Sequence, residues 1–207
     1  MVRLVRLVVA LVFVLLSSAA GAKTLVVLGD SASAGYGLPK DKAWVTLLAA
    51  RVQKEKLDYT VANASVSGET SLGGANRIEA ILKQHSPAVV VVALGGNDGL
   101  RGQSIDAMRT NLEKIISACE KAKARVVLVG MRLPPNYGSA YAEKFHAVYG
   151  DIAKQRKVAL APFLFEGFGD KPDWFQADGI HPAIKAQPQM LETVWKALQP
   201  FIAASTK

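Results

Sequence analysis

Three side chains have the types and the placement that hydrolytic chemistry needs. Ser31 lies in the segment Gly-Asp-Ser-Ala-Ser-Ala-Gly-Tyr-Gly, which occupies residues 29–37. A serine hydroxyl is a weak nucleophile unless a neighbouring base accepts its proton. His181 could be that base. Asp178 stands three residues before it, with a glycine between them, and could orient one ring nitrogen while the other stays free.

Both segments also have a purely structural interpretation. Asp30 and Ser31 are favoured residues at the start of a helix, and Pro182, directly after the histidine, is typical of a first helical turn. The two other histidines are weaker candidates for a base. His85 precedes Ser-Pro at a predicted helix end, and His146 lies inside a predicted helix.

Two further polar loops could supply hydrogen-bond donors to a carbonyl oxygen that becomes negatively charged. Gly68 follows the second predicted strand, and its backbone N–H could approach a ligand. Asn97 follows the third predicted strand and carries a side-chain NH₂ group. Taken singly, each loop is explained as turn chemistry. Together with the serine and histidine loops, they place nucleophile, base and donors at one edge of a sheet, where open α/β folds bind their ligands.

The elements that must position these loops alternate between strands and helices. We predict strands at residues 24–28, 59–64, 88–94, 125–130 and 158–161. We predict helices at residues 43–52, 73–84, 104–123, 139–155 and 182–203. Residues 88–94 are apolar on both faces of a strand, as in the centre of a parallel sheet. The alternation predicts an α/β fold of the three-layer, flavodoxin-like type, with a central parallel sheet and helices on both faces.

The four loops resemble, in order, the conserved blocks of the SGNH (GDSL) hydrolase family. The matching segments are Gly29-Asp30-Ser31, Gly68, residues 95–98 and residues 178–182. Within that family, the sequence is similar to the exported bacterial branch of multifunctional thioesterases, lysophospholipases and arylesterases. One departure is visible, since Ala32 stands where the family's Gly-Asp-Ser-Leu motif has leucine.

This resemblance implies a role for each of the matching residues. Ser31 is the implied nucleophile, His181 its base and Asp178 the carboxylate that orients the base. The Ser31 N–H, the Gly68 N–H and the Asn97 amide are the implied oxyanion hole. The resemblance implies neither a metal nor an organic cofactor.

We therefore expect an exported serine hydrolase that cleaves small-molecule acyl esters or thioesters through an acyl-enzyme. Two alternatives remain open at this stage: a carbohydrate O-acetylesterase that uses the same residues, and a non-catalytic periplasmic protein that binds acyl ligands. We expect an apolar site for acyl chains of medium length, and select as substrate-binding residues Leu72, Gly73, Tyr137 and Phe163.

Composition and charge exclude several other classes of function. The formal net charge is +8 at pH 7, but the cations are scattered and form no basic stripe interleaved with aromatic residues, so we expect no nucleic-acid partner. A weak contact with membrane lipids stays open, as does the oligomeric state. Cys119 is the only cysteine, which excludes an intramolecular disulfide, and its helical pattern predicts a buried thiol. Glycine-rich nucleotide-binding motifs do not occur.

The first 22 residues have the pattern of a secretory signal peptide. Arg3 and Arg6 precede an unbroken apolar run at residues 7–16, and the segment ends in an Ala-x-Ala pattern at residues 20–22. The apolar run is shorter than the ~20 residues that a spanning helix needs. We therefore expect cleavage after Ala22, a secreted or periplasmic protein, and a single hydrolase domain at residues 23–207.

Cleavage at this position predicts that the exported protein begins at Lys23. Mass spectrometry of the protein recovered from the envelope of its native cells would measure this directly. A recovered chain that still carried residues 1–22 would contradict the prediction of a cleaved leader.

Overall fold

A five-stranded, fully parallel sheet forms the centre of the computed structural model, which describes residues 21–203. Nearly all of the predicted signal peptide therefore lies outside the described residues. The strands are β1 (Lys23–Gly29), β2 (Tyr59–Asn63), β3 (Val89–Ala93), β4 (Arg125–Val129) and β5 (Ala159–Ala161). Their order in the sheet is β2-β1-β3-β4-β5. The predicted α/β fold with a central parallel sheet is confirmed.

Two of the three inner strands, β1 and β3, show why the centre of the sheet is so apolar. All five residues of β3 are buried, and Leu25–Leu28 of β1 are fully buried as well. Strands covered on both faces lose the alternation of apolar and polar residues, which is why they appear in the sequence as unbroken apolar runs. Gly29 of β1 is paired in register with Ala93 of β3. The segments that follow these two strands therefore start side by side at the same edge.

The helices cover both faces of the sheet. Their bounds are α1 (Ser31–Ala34), α2 (Trp44–Lys54), α3 (Ser71–His85), α4 (Gly96–Leu100), α5 (Ile105–Lys121), α6 (Ser139–Arg156) and α7 (Gln187–Ile202). Helices α3, α5 and α6 pack in a row on one face, and α2 and α7 pack together on the other. Two short helices, α1 and α4, directly follow β1 and β3 at the carboxyl edge.

The predicted start of the last helix, Pro182, is wrong. Pro182 forms an isolated antiparallel bridge with Phe175, and the Ala183 N–H donates to the Trp174 carbonyl at 2.8 Å. These contacts hold residues 182–183 in an extended conformation. A 3₁₀ turn, Ile184–Ala186, follows before α7 begins at Gln187. This extended segment holds the loop that carries His181 against residues 174–175.

Helix α3 begins two residues earlier than the predicted residue 73, because Thr70 caps it. The Thr70 hydroxyl accepts a hydrogen bond from the Gly73 N–H at 3.2 Å. Cys119 is fully buried, as predicted, and burial raises the pKa of its thiol to about 12. Within residues 21–203, no helix has the length and the apolar character to cross a membrane.

Candidate active site

Ser31 is the first residue of α1 and stands directly beyond the carboxyl end of β1. The turn is tight. A Cβ added at Gly29 would lie 2.6 Å from the Ser33 hydroxyl oxygen, so only glycine fits there. Asp30 caps the short helix, with its Oδ1 accepting from the Ala32 N–H at 3.0 Å. The cap that the sequence suggested is therefore present, and it belongs to Asp30 rather than to Ser31.

The structure brings Ser31, His181 and Asp178 into direct contact. Nε2 of His181 lies 2.9 Å from the Ser31 Oγ. Nδ1 of the same ring lies 2.7 Å from Oδ2 of Asp178. The imidazole therefore lies between a hydroxyl and a carboxylate, although Ser31 and Asp178 are far apart in the sequence.

The loop that carries Asp178 holds this carboxylate in place. Its Oδ1 accepts from the backbone N–H groups of Ile180, at 2.9 Å, and His181, at 3.0 Å. The His181 backbone N–H, the His181 ring and the Ile180 N–H, in that order, lower the pKa of Asp178 to about 2. Because a carboxylate accepts only, it selects the tautomer in which Nδ1 of His181 carries the proton.

Tyr36 is a site residue that sequence analysis missed. Its ring centroid lies 4.4 Å from that of His181, in a tilted arrangement. Tyr36, Leu38 and Pro182 line a small cavity with Ser31 and His181. A signal was available in the sequence, because Tyr36 lies between two glycines in the same segment as Ser31.

Of the three predicted oxyanion donors, the two outside the Ser31 loop, Gly68 and Asn97, lie on adjoining segments. The side-chain Nδ2 of Asn97 donates to the Glu69 carbonyl at 3.0 Å and lies 3.5 Å from Oδ2 of Asp30. Gly68 has a φ of +78°, a conformation that favours glycine, and its carbonyl accepts from Nη2 of Arg101 at 3.1 Å. Asn97 thus contacts the chain neighbours of both Ser31 and Gly68.

The four predicted substrate-binding residues do not line the small cavity beside Ser31 and have differing environments. Leu72 is 54% exposed on the first turn of α3. At Gly73 an added Cβ would overlap the Glu69 carboxylate, so a larger residue would require that side chain to move. The Tyr137 hydroxyl donates to the Leu100 carbonyl at 2.9 Å. Phe163 packs against Phe165 and under the Arg132 guanidinium group.

Nothing in the described part of the chain resembles a metal centre. Within residues 21–203, no group of three or more His, Cys, Asp or Glu side chains is arranged to hold a metal ion. The expected independence from metals stays a prediction, and activity measured with and without a chelator would check it.

The model of a family described as the GDSL-like Lipase/Acylhydrolase family matches residues 27–186. This chain belongs to the GDSL-like lipase/acylhydrolase family. The matched region contains the Ser31 loop, both oxyanion-donor loops and the Asp178–His181 loop. The predicted family resemblance is therefore confirmed.

Relatives within the GDSL-like family cover most of the chain. "Esterase TesA" of Pseudomonas aeruginosa is 50% identical over 192 residues, which cover 93% of this chain and 96% of the relative. "Thioesterase 1/protease 1/lysophospholipase L1" of Escherichia coli is 46% identical over 184 residues, 89% of this chain and 87% of the relative. The solved structure of the psychrotrophic esterase EstA from Pseudoalteromonas sp., inhibited by monoethylphosphonate, is 36% identical. It superposes with a TM-score of 0.82 over 86% of this chain and 98% of its own.

Asp30 is a second site residue whose environment the sequence did not reveal. Its side chain is only 6% exposed. Burial raises the pKa of Asp30 from 3.8 to about 6. The Ala32 N–H and His181 lower this pKa, but their effect is smaller than that of burial. Ionisation of the Asp30 carboxyl group therefore destabilises the folded protein.

The raised pKa of Asp30 predicts a pH-dependent stability difference between the wild type and Asp30→Asn. The folded state holds the proton up to about pH 6, whereas the unfolded state releases it near pH 3.8, so stability is lost as the pH rises through this window. Relative to the variant, the wild-type free energy of unfolding should fall by roughly 2 to 3 kcal/mol from about pH 4 to about pH 7. Urea unfolding at both values measures it. Asparagine can still cap Ala32, so a stability difference that did not vary with pH would contradict the account of Asp30.

Proposed function

We propose that this protein hydrolyses acyl esters or thioesters of small molecules through an acyl-enzyme formed on Ser31. The observation that carries the proposal is the continuous hydrogen-bonded path from the Ser31 hydroxyl through the His181 ring to the Asp178 carboxylate. Membership of the GDSL-like lipase/acylhydrolase family supports the reaction class. The names of the relatives, an esterase and a thioesterase/lysophospholipase, support both kinds of substrate bond.

The first half of the proposed reaction forms the acyl-enzyme. The Ser31 Oγ attacks the carbonyl carbon while Nε2 of His181 takes the hydroxyl proton. The ionised Asp178 stabilises the imidazolium that results. The substrate oxygen becomes an oxyanion, which the Ser31 N–H, the Gly68 N–H and the Asn97 amide would stabilise. When the tetrahedral intermediate collapses, the bond to the leaving group breaks, and the alcohol or thiol departs with the proton from Nε2.

The second half releases the acid and regenerates the enzyme. Nε2 of His181 accepts a proton from water, whose oxygen attacks the acyl carbonyl carbon. The bond to the Ser31 Oγ then breaks, the serine recovers its proton from Nε2, and the carboxylic acid leaves. One imidazole nitrogen therefore moves every proton, while the other stays bound to Asp178.

Two alternative functions can be distinguished from this one, the first by its substrate and the second by its lack of turnover. A carbohydrate O-acetylesterase would use the same three residues on an acetyl group alone. A non-catalytic acyl-binding protein would need no hydroxyl–imidazole–carboxylate path, so the contacts of His181 with Ser31 and Asp178 count against it.

We also infer that the protein is exported, with residues 1–22 as a cleaved leader and one hydrolase domain at residues 23–207. The sequence pattern of the leader supports this inference. The described residues are organised around a single sheet, which supports the single domain.

Replacing Ser31 by alanine should lower kcat for p-nitrophenyl butyrate by on the order of 10⁴-fold or more, because the acyl-enzyme can no longer form. The exposed Ser67, on the loop beside Gly68, offers a matched control, since Ser67→Ala removes a nearby hydroxyl that the mechanism does not use. Unchanged melting temperatures would show that both variants fold. Retention of wild-type kcat by Ser31→Ala, or its loss in Ser67→Ala alone, would overturn the assignment.

We expect faster hydrolysis of esters with medium-length acyl chains than of acetate. Within residues 21–203, five large apolar side chains stand exposed, on loops, on the first turn of α3 or on the 3₁₀ turn at Ile184–Ala186: Tyr36, Val66, Leu72, Ile180 and Ile184. Two of them lie next to His181, because Tyr36 packs against its ring and Ile180 precedes it in the chain. Each buried CH₂ contributes about 0.8 kcal/mol, or roughly fourfold in kcat/KM, until the apolar surface is covered.

Kinetics with p-nitrophenyl acetate, butyrate, hexanoate and octanoate measure this preference. A series that stays flat, or falls from acetate onward, would exclude the acyl-chain site and favour the O-acetylesterase.

A further inference from the structure

The two segments that carry the oxyanion donors Gly68 and Asn97 are fastened to each other by four hydrogen bonds. At the exposed end, Nη2 of Arg101 donates to the Gly68 carbonyl. Next, the Asn97 amide donates to the Glu69 carbonyl. At the buried end, Asp98 accepts twice from Ser71, from the backbone N–H at 2.8 Å and from the hydroxyl. The contacts thus pair residues 68–71 with residues 97–101.

Asp98 is the buried anchor of this arrangement. Asp98 is only 2% exposed. The Ser71 hydroxyl, which donates to Asp98, also accepts a hydrogen bond from Nδ2 of Asn111 on α5. Ser71 is the first residue of α3, so the carboxylate faces the positive end of a 15-residue helix. An ionised carboxylate is costly to bury unless donors satisfy it. Asp98 and Ser71 therefore fix α4 against the start of α3.

Helix α4 needs such an anchor. It has only five residues, its N-cap is Gly95, which provides no side-chain cap, and the isolated helix would not be stable. Asn97 is its second residue. Small displacements of a catalytic group have large effects on rate, since oxyanion donors act only when they already stand where the charge develops.

We propose that Asp98 is a positioning residue for the oxyanion hole, which sets the separation between the Asn97 amide and the Gly68 N–H through its two hydrogen bonds with Ser71. Asp98 does not touch the substrate. The proposal rests on the proposed function and adds a residue that has no role in the sequence analysis.

The experiment is a double-mutant cycle between Asp98 and Asn97, with kcat and KM measured on p-nitrophenyl butyrate. Asn97→Ala should lower kcat by roughly 10²–10³-fold. Asp98→Ala should lower kcat by about tenfold with KM changed less than about twofold, because it displaces a group that acts in the transition state. In the Asn97→Ala background, the same substitution should lower kcat by less than about twofold, since the amide that it positions is already absent.

Two further variants separate positioning from loss of stability. Asp98→Asn can keep both contacts, with its Oδ1 accepting from the Ser71 N–H and its amide donating to the Ser71 hydroxyl, so kcat should return to within about threefold of the wild type. Thr193→Val is the matched control, because it removes a buried hydroxyl that donates to the Gln189 carbonyl, within α7. It should lower the melting temperature without lowering kcat.

The proposal fails if Asp98→Ala lowers kcat equally in both backgrounds, changes only KM, or leaves kcat at the wild-type value. It also fails if Asp98→Asn is as impaired as Asp98→Ala. If Asp98→Ala does not fold, Ser71→Ala gives the same test, because it removes one of the two hydrogen bonds to Asp98. Ser71→Ala should then lower kcat when Asn97 is present and leave kcat unchanged in the Asn97→Ala background. The proposed function is tested separately by Ser31→Ala, so failure of the positioning role of Asp98 would leave it standing.

Discussion

The hydrogen bond between the Ser31 Oγ and Nε2 of His181 is the contact on which the site depends, and it joins residues 150 apart in the sequence. The parallel sheet provides one side of it by placing Ser31 at the carboxyl end of an inner strand. His181, on the other side of this hydrogen bond, is held by contacts between residues 176–187 and residues 36–44. The Gln176 amide donates to the Tyr36 carbonyl at 2.9 Å, and the Gln187 side chain accepts from the Trp44 N–H at 3.0 Å. The histidine loop is thus tied to the segments that follow the nucleophile.

Two carboxylates near this hydrogen bond have pKa values shifted in opposite directions, for reasons that match their positions. Asp178 lies at the surface and accepts from two backbone N–H groups and the imidazole, which lower its pKa to about 2. It therefore stays ionised and can stabilise a protonated His181 at any working pH. Asp30 is buried beneath the nucleophile, and burial raises its pKa to about 6. The ionised Asp30 carboxylate therefore destabilises the fold, although its hydrogen bond to the Ala32 N–H stabilises the turn that carries Ser31.

The sequence predicted the fold and the Asp178–His181 pair because these depend on local patterns. The apolar run at residues 88–94 is typical of an inner strand, and a loop with Asp178 three residues before His181 can close on its own imidazole. The pairing of Ser31 with His181 spans 150 residues and was implied by the resemblance to the family. Features that depend on packing were not predicted. Pro182 is compatible with a helix start, and only its pairing with Phe175 makes it extended. Likewise, the Tyr137 hydroxyl goes to the Leu100 carbonyl, and no spacing in the sequence indicates that partner.

The buried role of Asp98 was hidden for a related reason. In the sequence it is a polar residue next to Asn97, which suggests an exposed turn, whereas its partner Ser71 comes from a different helix start. The pairing exists only because β1 separates β2 from β3 in the sheet, so that the loops after β2 and β3 converge over the end of β1. Topology, rather than local pattern, therefore determines the geometry proposed for the oxyanion hole.

The most direct test of the account is a crystal structure of the protein inactivated with an alkyl fluorophosphonate. The account predicts a phosphorus atom bonded to the Ser31 Oγ. One phosphoryl oxygen should lie within roughly 2.7–3.1 Å of the backbone nitrogens of Ser31 and Gly68 and of Nδ2 of Asn97. An adduct on another side chain, or a phosphoryl oxygen directed away from Gly68 and Asn97 into solvent, would contradict it.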